Sequence, residues 1–282
     1  MENIIFHIDV NSAFLSWSAV KLLREGFDRD IRTIPAIVGG DRESRHGIVI
    51  AKSIPAKKFG IATADTVASA LCKCPDLMVV SPDSDYYRKQ SKMLMDYLGE
   101  ICPVIEQVSI DECYMDFEPI RSRFEGPKAA AYFIKDSVRE KFGFTVNVGI
   151  SDRKVLAKMA SDMEKPDKVH TLYASEIRDR LWPMPIEELF MCGKSSAARF
   201  RELGINTVGE LARAERGLIE GLFKKHGIML WEFANGIDDR RVNPVRQQAK
   251  GIGNSTTLSE DVTDQKEAFR VLRELPVRCP QG

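Results

Sequence analysis

The sequence predicts an α+β fold: a ferredoxin-like βαββαβ unit with an inserted small α/β segment, followed by an all-helical region. Three observations predict it. With residues 33–61 set aside, the chain up to Pro166 reads strand, helix, helix, hairpin, helix, strand, helix. From about Tyr173 the hydrophobic spacing is helical, with short loops. The two most β-prone runs, 4–9 and 104–117, each carry acids to a strand end: Asp9 in the first, Asp111 and Glu112 in the second. In a βαββαβ sheet the first strand and the hairpin can pair centrally, which would bring the three carboxylates together.

Residues 4–9, Ile-Ile-Phe-His-Ile-Asp, read as a buried strand ending in an acid. Val10-Asn11-Ser12-Ala13-Phe14 then leads into a helix with Leu15, Ala19, Leu22 and Leu23 on one face, stopped near Gly26. A strand that runs through small residues into a helix N-terminus suits a phosphate beside Asp9, and equally an ordinary turn. Two strands, 34–38 and 48–51, flank a turn at 39–43, and a short helix from Pro55 stops at Gly60. Lys52, Lys57 and Lys58 cluster there, either as solvated charges or as triphosphate contacts. Pro82-Asp83 opens a helix to about Ile101, with Tyr87, Leu94, Leu98 and Ile101 at core spacing. After the hairpin, a helix over 128–142 is expected to bury Phe133, Ile134 and Val138. A strand over 144–150 follows. The next helix, from Asp152, turns Val155, Leu156, Met159 and Met163 inward, and Pro166 ends it.

In the helical region, residues 186–190 lead into Met191-Cys192-Gly193-Lys194 and a helix over 195–203. Two short helices around a glycine turn suggest a helix-hairpin-helix whose turn amides meet a DNA phosphate; a plain helical hairpin fits as well. Short helices over 218–223 and 229–234 follow. Residues 238–244 read as a linker, with Arg240, Arg241, Arg246 and Lys250 as a basic tether. A strand over 252–258 and a helix over 265–275 come last.

A chain of 282 residues, 44% hydrophobic and 29% charged, has room for two cores and no apolar run long enough to span a membrane. Met1-Glu2-Asn3 lacks the basic start of a signal peptide, so a cytoplasmic location is expected. Of the six cysteines only Cys72 and Cys74 are close, without nearby histidines, which argues against a zinc site. The formal net charge of zero argues mildly against nucleic-acid binding, although a local basic surface can be offset by acids elsewhere.

Asp111 and Glu112 alone could be a polar hairpin tip facing water. With Asp9 they would make a hard, oxygen-rich site of the kind that holds magnesium against phosphates.

Five stretches occur in order: Phe6-His7-Ile8-Asp9-Val10-Asn11-Ser12-Ala13-Phe14, Ile54-Pro55-Ala56-Lys57-Lys58-Phe59-Gly60, Ser109-Ile110-Asp111-Glu112, Val148-Gly149-Ile150-Ser151 and Met163-Glu164-Lys165-Pro166. Together they resemble the Y-family DNA polymerases, the translesion enzymes, over nearly the whole chain. The resemblance implies a palm at 1–12 and 83–172, fingers at 13–82, a thumb at 173–240, a linker at 241–249 and a partial little finger at 250–282. It implies two Mg2+ ions, with Asp9 and Asp111 on both, Glu112 on the ion nearest the primer terminus, and the Val10 carbonyl on the nucleotide-bound ion. The amides of Asn11, Ser12, Ala13 and Phe14, with Lys57 and Lys165, would hold the triphosphate. Phe14 would be the steric gate against a ribose 2′-hydroxyl. Gly193, Lys194, Arg240 and Arg241 would touch DNA.

The implied partners are primer-template DNA, deoxynucleoside triphosphates and a sliding clamp, whose binding peptide would lie beyond this sequence; a monomer without membrane contact is expected. Ile54 and Lys57 stand where the family often has Tyr and Arg, so a donor and a bidentate fork are replaced by none and by a point charge. Ala13 replaces a frequent aromatic, and Asn11 an acid of some members. Because only the opening of a little finger is matched, weak, salt-sensitive DNA binding is expected, with residues after about Arg246 poorly ordered unless they dock. A catalytically weak DNA-binding remnant is the competing reading. A palm-like nucleotide cyclase fits poorly, since the thumb-like hairpin would have no role.

Overall fold

The first strand of the computed structural model, Ile5–Val10, is buried along its whole length, as an apolar run between two neighbouring strands must be. The structure describes residues 3–40, 47–245, 251, 253–256, 258 and 261–275. In chain order the elements are β1 (Ile5–Val10), α1 (Ala13–Arg24), β2 (Ala36–Gly39), β3 (Val49–Lys52), α2 (Ile54–Lys57), α3 (Val67–Lys73), β4 (Met78–Val80), α4 (Ser84–Ile101), β5 (Ile105–Gln107), β6 (Glu112–Asp116), α5 (Pro127–Phe142), β7 (Val146–Ser151), α6 (Lys154–Asp162), β8 (Val169–Thr171), α7 (Lys194–Glu202), α8 (Val208–Arg213), α9 (Arg216–Ala234) and α10 (Gln265–Glu274). They divide into two units: Met1–Ser16 with Ser84–Val245, and Trp17–Asp83 with the described part of Arg246–Gly282.

The first unit holds a five-stranded sheet in the order β5-β6-β1-β7-β8. Strand β1 pairs antiparallel with β6 and with β7, so Asp9 lies opposite Glu112 on one side and Asn147 on the other. Residues directly opposite share a face. Two residues back, His7 aligns with Tyr114 and Gly149 on that same face. Helix α6 lies on it so closely that a Cβ at Gly149 would sit 2.0 Å from the Ala157 carbonyl oxygen. Glycine is required there by space.

The helical part of this unit has its own core, which includes Leu181, Phe200, Leu211, Ile219 and Leu230. Thr207 and Glu210 form a capping box that starts α8, and Trp182 Nε1 donates to the Ala234 carbonyl at the end of α9. The segment that leaves α9 returns to the sheet: Asp238 accepts from the Val155 N–H (2.9 Å), and Glu106 accepts from the Asn243 N–H (2.7 Å). The second unit holds a three-stranded sheet, β3-β2-β4, with Ile37, Val49, Ala56, Ile61, Val67 and Ala70 in its core. Ser53 caps α2 and Thr66 caps α3.

Several expectations change. Phe133 is 46% exposed, because the buried stripe of α5 runs through Ala130, Ile134 and Val138, and its ring meets Phe124 at 5.3 Å instead. The first helix of the expected helix-hairpin-helix is a three-residue 3-10 turn, Ile186–Glu188, ended by extended Leu189. The two helices expected at 218–223 and 229–234 are both present within α9, separated by a break at Lys224 (φ 57°). Strands β4 and β8 and helix α3 are additional elements. At 252–258 the described residues carry no strand, and Arg246 and Lys250 lie outside the described residues, as does the turn at 41–43. Cys74, Cys102, Cys113 and Cys192 are buried free thiols, Cys113 pushed up to about 12 by burial. Among the described residues no helix is long and apolar enough to cross a membrane.

Candidate active site

The site is built at the end of β1. The tight turn between β5 and β6 is closed by the Val108 N–H and the Ser109 N–H, both donating to the Glu112 carbonyl. Ser109 Oγ also donates to Asp111 Oδ1 at 2.7 Å, which fixes that carboxylate within its own turn. The Val10 N–H then donates to the Asp111 carbonyl (3.0 Å), docking the hairpin tip on the strand end that carries Asp9. Sheet register brings the Asp9 and Glu112 carboxylates together, and one docking bond sets the Asp111 backbone beside Val10, with the Asp111 carboxylate turned to Ser109.

Two lysines and a histidine complete it. Lys158, one turn into α6, donates to Glu112 Oε2 at 3.0 Å and lies 3.5 Å from Asp9 Oδ2. Lys165 lies 3.0 Å from Asp9 Oδ1, and Asp162 pairs with both lysines, at 2.9 Å to Lys165 and 3.2 Å to Lys158. His7, buried on the same face as Asp9, places Nε2 3.3 Å from Glu112 Oε2 and Nδ1 2.8 Å from Ser161 Oγ. Burial lowers the His7 pKa more than its hydrogen bond to Glu112 raises it, so the ring is neutral. Its Nε2–H then donates to Glu112, while Nδ1 lies against Ser161 Oγ, whose hydroxyl donates to the Lys158 carbonyl (2.8 Å).

The two adjacent carboxylates are driven apart. The His7 hydrogen bond, followed by the Lys158 charge, overcomes burial and holds Glu112 down at about 2. Burial, reinforced by the charges of Asp9 and Glu112, pushes Asp111 up despite the Ser109 hydroxyl. Burial alone would lower Lys158, but Asp162, Asp9 and Glu112 together drive it up. Asp9, Glu112 and Asp162 pair with the two ammonium groups, and Asp111, near enough to feel the charges of Asp9 and Glu112, adds a fourth carboxylate, leaving two negative charges unmatched when all are ionised. An all-oxygen donor set with a surplus of negative charge fits a hard divalent cation.

Among the described residues, His7, Asp9 and Glu112 have ligand atoms within 4.8 Å of one another. Both His7 ring nitrogens are already engaged, so its chemistry here is to hold Glu112 rather than to ligate.

Of the other expected residues, Phe14 is half-buried with its ring 5.0 Å from that of Tyr87, and Ser12 (φ 46°) makes the left-handed turn that starts α1. Two of these residues bond within the chain. The Asn11 N–H donates to the Thr145 carbonyl (3.0 Å), and its side chain bonds Asn147, so Asn11 is tied to the sheet. Arg240 grips Asp238 through Nε (2.8 Å) and Nη2 (2.9 Å) and covers the Phe233 ring, because the chain turns back on the sheet there. Arg241 is exposed, as are Gly193 and Lys194 at the start of α7. Lys57 ends α2 in the second unit and is exposed. His7, Lys158, Asp162 and Asn147 were not foreseen. The period-two spacing of His7 from Asp9, and the 4-then-3 spacing of Lys158, Asp162 and Lys165, were the available signals.

A family model described as the impB/mucB/samB family matches residues 8–162. DNA polymerase IV of Clostridium acetobutylicum is 49% identical over 272 residues, covering 96% of this chain and 68% of that protein. Among solved structures, DinB from Sulfolobus solfataricus superposes with a TM-score of 0.74 at 25% identity, covering 86% of this chain and 69% of that one. A Y-family DNA polymerase chimera reaches 0.83 at 24% identity over 96% of this chain and 78% of its own, a likeness of fold alone.

Proposed function

The chain belongs to the impB/mucB/samB family, the Y-family DNA polymerases, and from that premise we propose that it adds deoxynucleotides to a primer 3′-hydroxyl by two-metal phosphoryl transfer. It is a DNA-directed DNA polymerase of the translesion class. The observation that carries the mechanism is the register of β1 against β6, which sets Asp9 opposite Glu112 with the Asp111 turn bonded to Val10.

In this reading Asp9, Asp111, Glu112 and the Val10 carbonyl hold two Mg2+ ions. When bound, those ions lower the pKa of the primer hydroxyl and neutralise charge on the triphosphate. The chain's own residues do the rest. His7 and Lys158 favour the ionised form of Glu112 and orient it as a ligand. Lys165, already at Asp9, is placed to exchange that carboxylate for a phosphate oxygen. The turn from Ser12 to Phe14 offers its backbone to the triphosphate, and Lys57 adds a further positive charge. Phe14, backed by Tyr87, meets the sugar and excludes a 2′-hydroxyl.

The domain layout we propose is a palm at 1–12 and 83–172, fingers at 13–82, a thumb at 173–240 and the start of a little finger after 250. Gly193, Lys194 and Arg241 are the DNA contacts of the thumb side; Arg240 serves as the clasp that holds Asp238. Primer-template DNA and deoxynucleoside triphosphates are the substrates, and a sliding clamp is a proposed partner of the longer relatives' kind.

Extension of a labelled primer on a defined template tests the reading. Mg2+-dependent addition of the templated nucleotide, abolished by Asp111→Ala, is expected. Wild-type chain that fails to extend even in excess over primer would contradict it.

A further inference from the structure

Beside the carboxylates lies a second polar set that the mechanism does not use. Asn147 is fully buried on β7, opposite Asp9, and every hydrogen-bonding position of its amide is occupied. Its Oδ1 accepts from Asn11 Nδ2 (3.0 Å) and the Lys168 N–H (3.1 Å), and its Nδ2 donates to the carbonyls of Ser161 (2.9 Å) and Glu164 (2.6 Å). Asn11 extends the set: its Oδ1 accepts from Thr145 Oγ1 and from the Asp167 N–H, both at 2.9 Å. The Asp167 carboxylate is held from the other side by Lys135 Nζ (3.0 Å) and Arg139 Nη1 (2.9 Å), with Lys135 itself buried. Asp167 is left-handed at φ 61°, a conformation Asp tolerates but does not prefer.

Most of these bonds fall on one short connection, from the end of α6 to the start of β8. Residues 161, 164, 167 and 168 are each anchored, and Lys165 stands among them with its ammonium on Asp9 and Asp162. A buried amide left unsatisfied is costly, so a fully satisfied one is a strong constraint on whatever it holds. A long, flexible lysine reaches a fixed point only if its backbone is fixed first.

We propose that Asn147 is a positioning residue for the incoming nucleotide: it acts through Asn11 and the 161–168 connection to set the Lys165 ammonium where the triphosphate arrives. The inference rests on the assignment of Lys165 to the triphosphate made above. A merely structural Asn147 would stabilise the fold without distinguishing nucleotide binding from turnover.

The test is a double-mutant cycle in the full chain, with Asn147→Ala, Lys165→Ala and the pair, read as nucleotide KM and kcat and as the rise in Tm on adding the triphosphate. Asn147→Ala is expected to raise the nucleotide KM on the order of tenfold, with kcat changed by less than about threefold. In the Lys165→Ala background the same substitution should raise KM by less than about twofold, because the group it positions is gone. An equal KM effect in both backgrounds, or a loss confined to kcat, would overturn the proposal. A Lys165→Ala chain with unchanged KM and unchanged nucleotide-induced Tm rise would instead remove Lys165 from the triphosphate, a separate and recognisable failure. If Asn147→Ala does not fold, Asn11→Ala removes the acceptor of the Asp167 N–H and should give the same masked KM effect. Wild-type KM in a folded Asn11→Ala chain overturns the inference.

Discussion

Replacing Gly149 by Ala adds one methyl group at the closest approach in the active-site layer. Its Cβ would lie 2.0 Å from the Ala157 oxygen and 2.5 Å from the Ser161 nitrogen. Ordinary contact needs roughly 3.5 Å, so helix and strand must separate by about 1.5 Å. Both obstructing atoms are backbone inside a regular helix, and no side-chain rotation relieves them. Overpacking typically costs 1–3 kcal/mol, and with two backbone clashes we expect about 4 kcal/mol, read as a fall in Tm on the order of 10 °C. The displaced helix carries Lys158 and Ser161, so the bonds to Glu112 and His7 would lengthen with it. Chemical denaturation and primer extension below the lowered midpoint measure the two effects. Gly126→Ala is the control, since nothing lies within 4 Å of a Cβ there and its backbone is extended; a change within about 0.5 kcal/mol is expected. A Gly149→Ala chain less than about 1 kcal/mol weaker than wild type would refute the packing argument.

Three further substitutions probe other links. Phe14→Ala should raise ribonucleotide incorporation by about a hundredfold or more, measured as the ratio of kcat/KM for the two sugars; unchanged discrimination removes Phe14 from the gate. His7→Phe takes away the first cause of Glu112's low pKa, so the acid limb of the activity profile should move to higher pH and Mg2+ affinity fall about tenfold or more. An unmoved profile would show that Lys158 suffices. Asp238→Asn breaks the clasp between the helical region and the sheet. Burial would raise the Asp238 pKa, but Arg240 and the Val155 N–H together hold it below its ordinary value. Its stabilisation is therefore complete above the unfolded carboxylate value, about pH 4, and is lost as pH falls through the lower folded one. We expect a loss of about 2 kcal/mol at pH 7 that shrinks on acidification below pH 4; a loss independent of pH would assign it to packing.

The central strand and the hairpin were legible because their information is local. An apolar run ends in Asp9, a β-prone run brackets Asp111-Glu112, and period two sets which side chains share a face. Strands β4 and β8 were not legible: each is three residues long, and Val169-His170-Thr171 has too little apolar character to stand out from a loop. Phe133 failed for a geometric reason, since an apolar residue beside the buried stripe of a helix reads like part of it until the partner surface is known. The electrostatic half of the site was the least legible. Lys158 meets Glu112 across 46 residues, Asn11 meets Asn147 across 136, and His7 meets Ser161 across 154, contacts that only sheet register creates. The pairing of Arg240 was not legible, because a basic residue in a linker-like stretch carries no sign that the Asp238 two residues before it is buried.

In the proposed mechanism Asp9, Asp111 and Glu112 share a cation site, and His7 only holds Glu112 in it. Anomalous scattering from crystals soaked with Mn2+ and a non-hydrolysable deoxynucleoside triphosphate tests this directly. Two ions ligated by oxygens of Asp9, Asp111 and Glu112 are expected, with Lys165 moved from Asp9 to a phosphate. A single ion bound by His7, Asp9 and Glu112, with Asp111 still turned to Ser109, would contradict it.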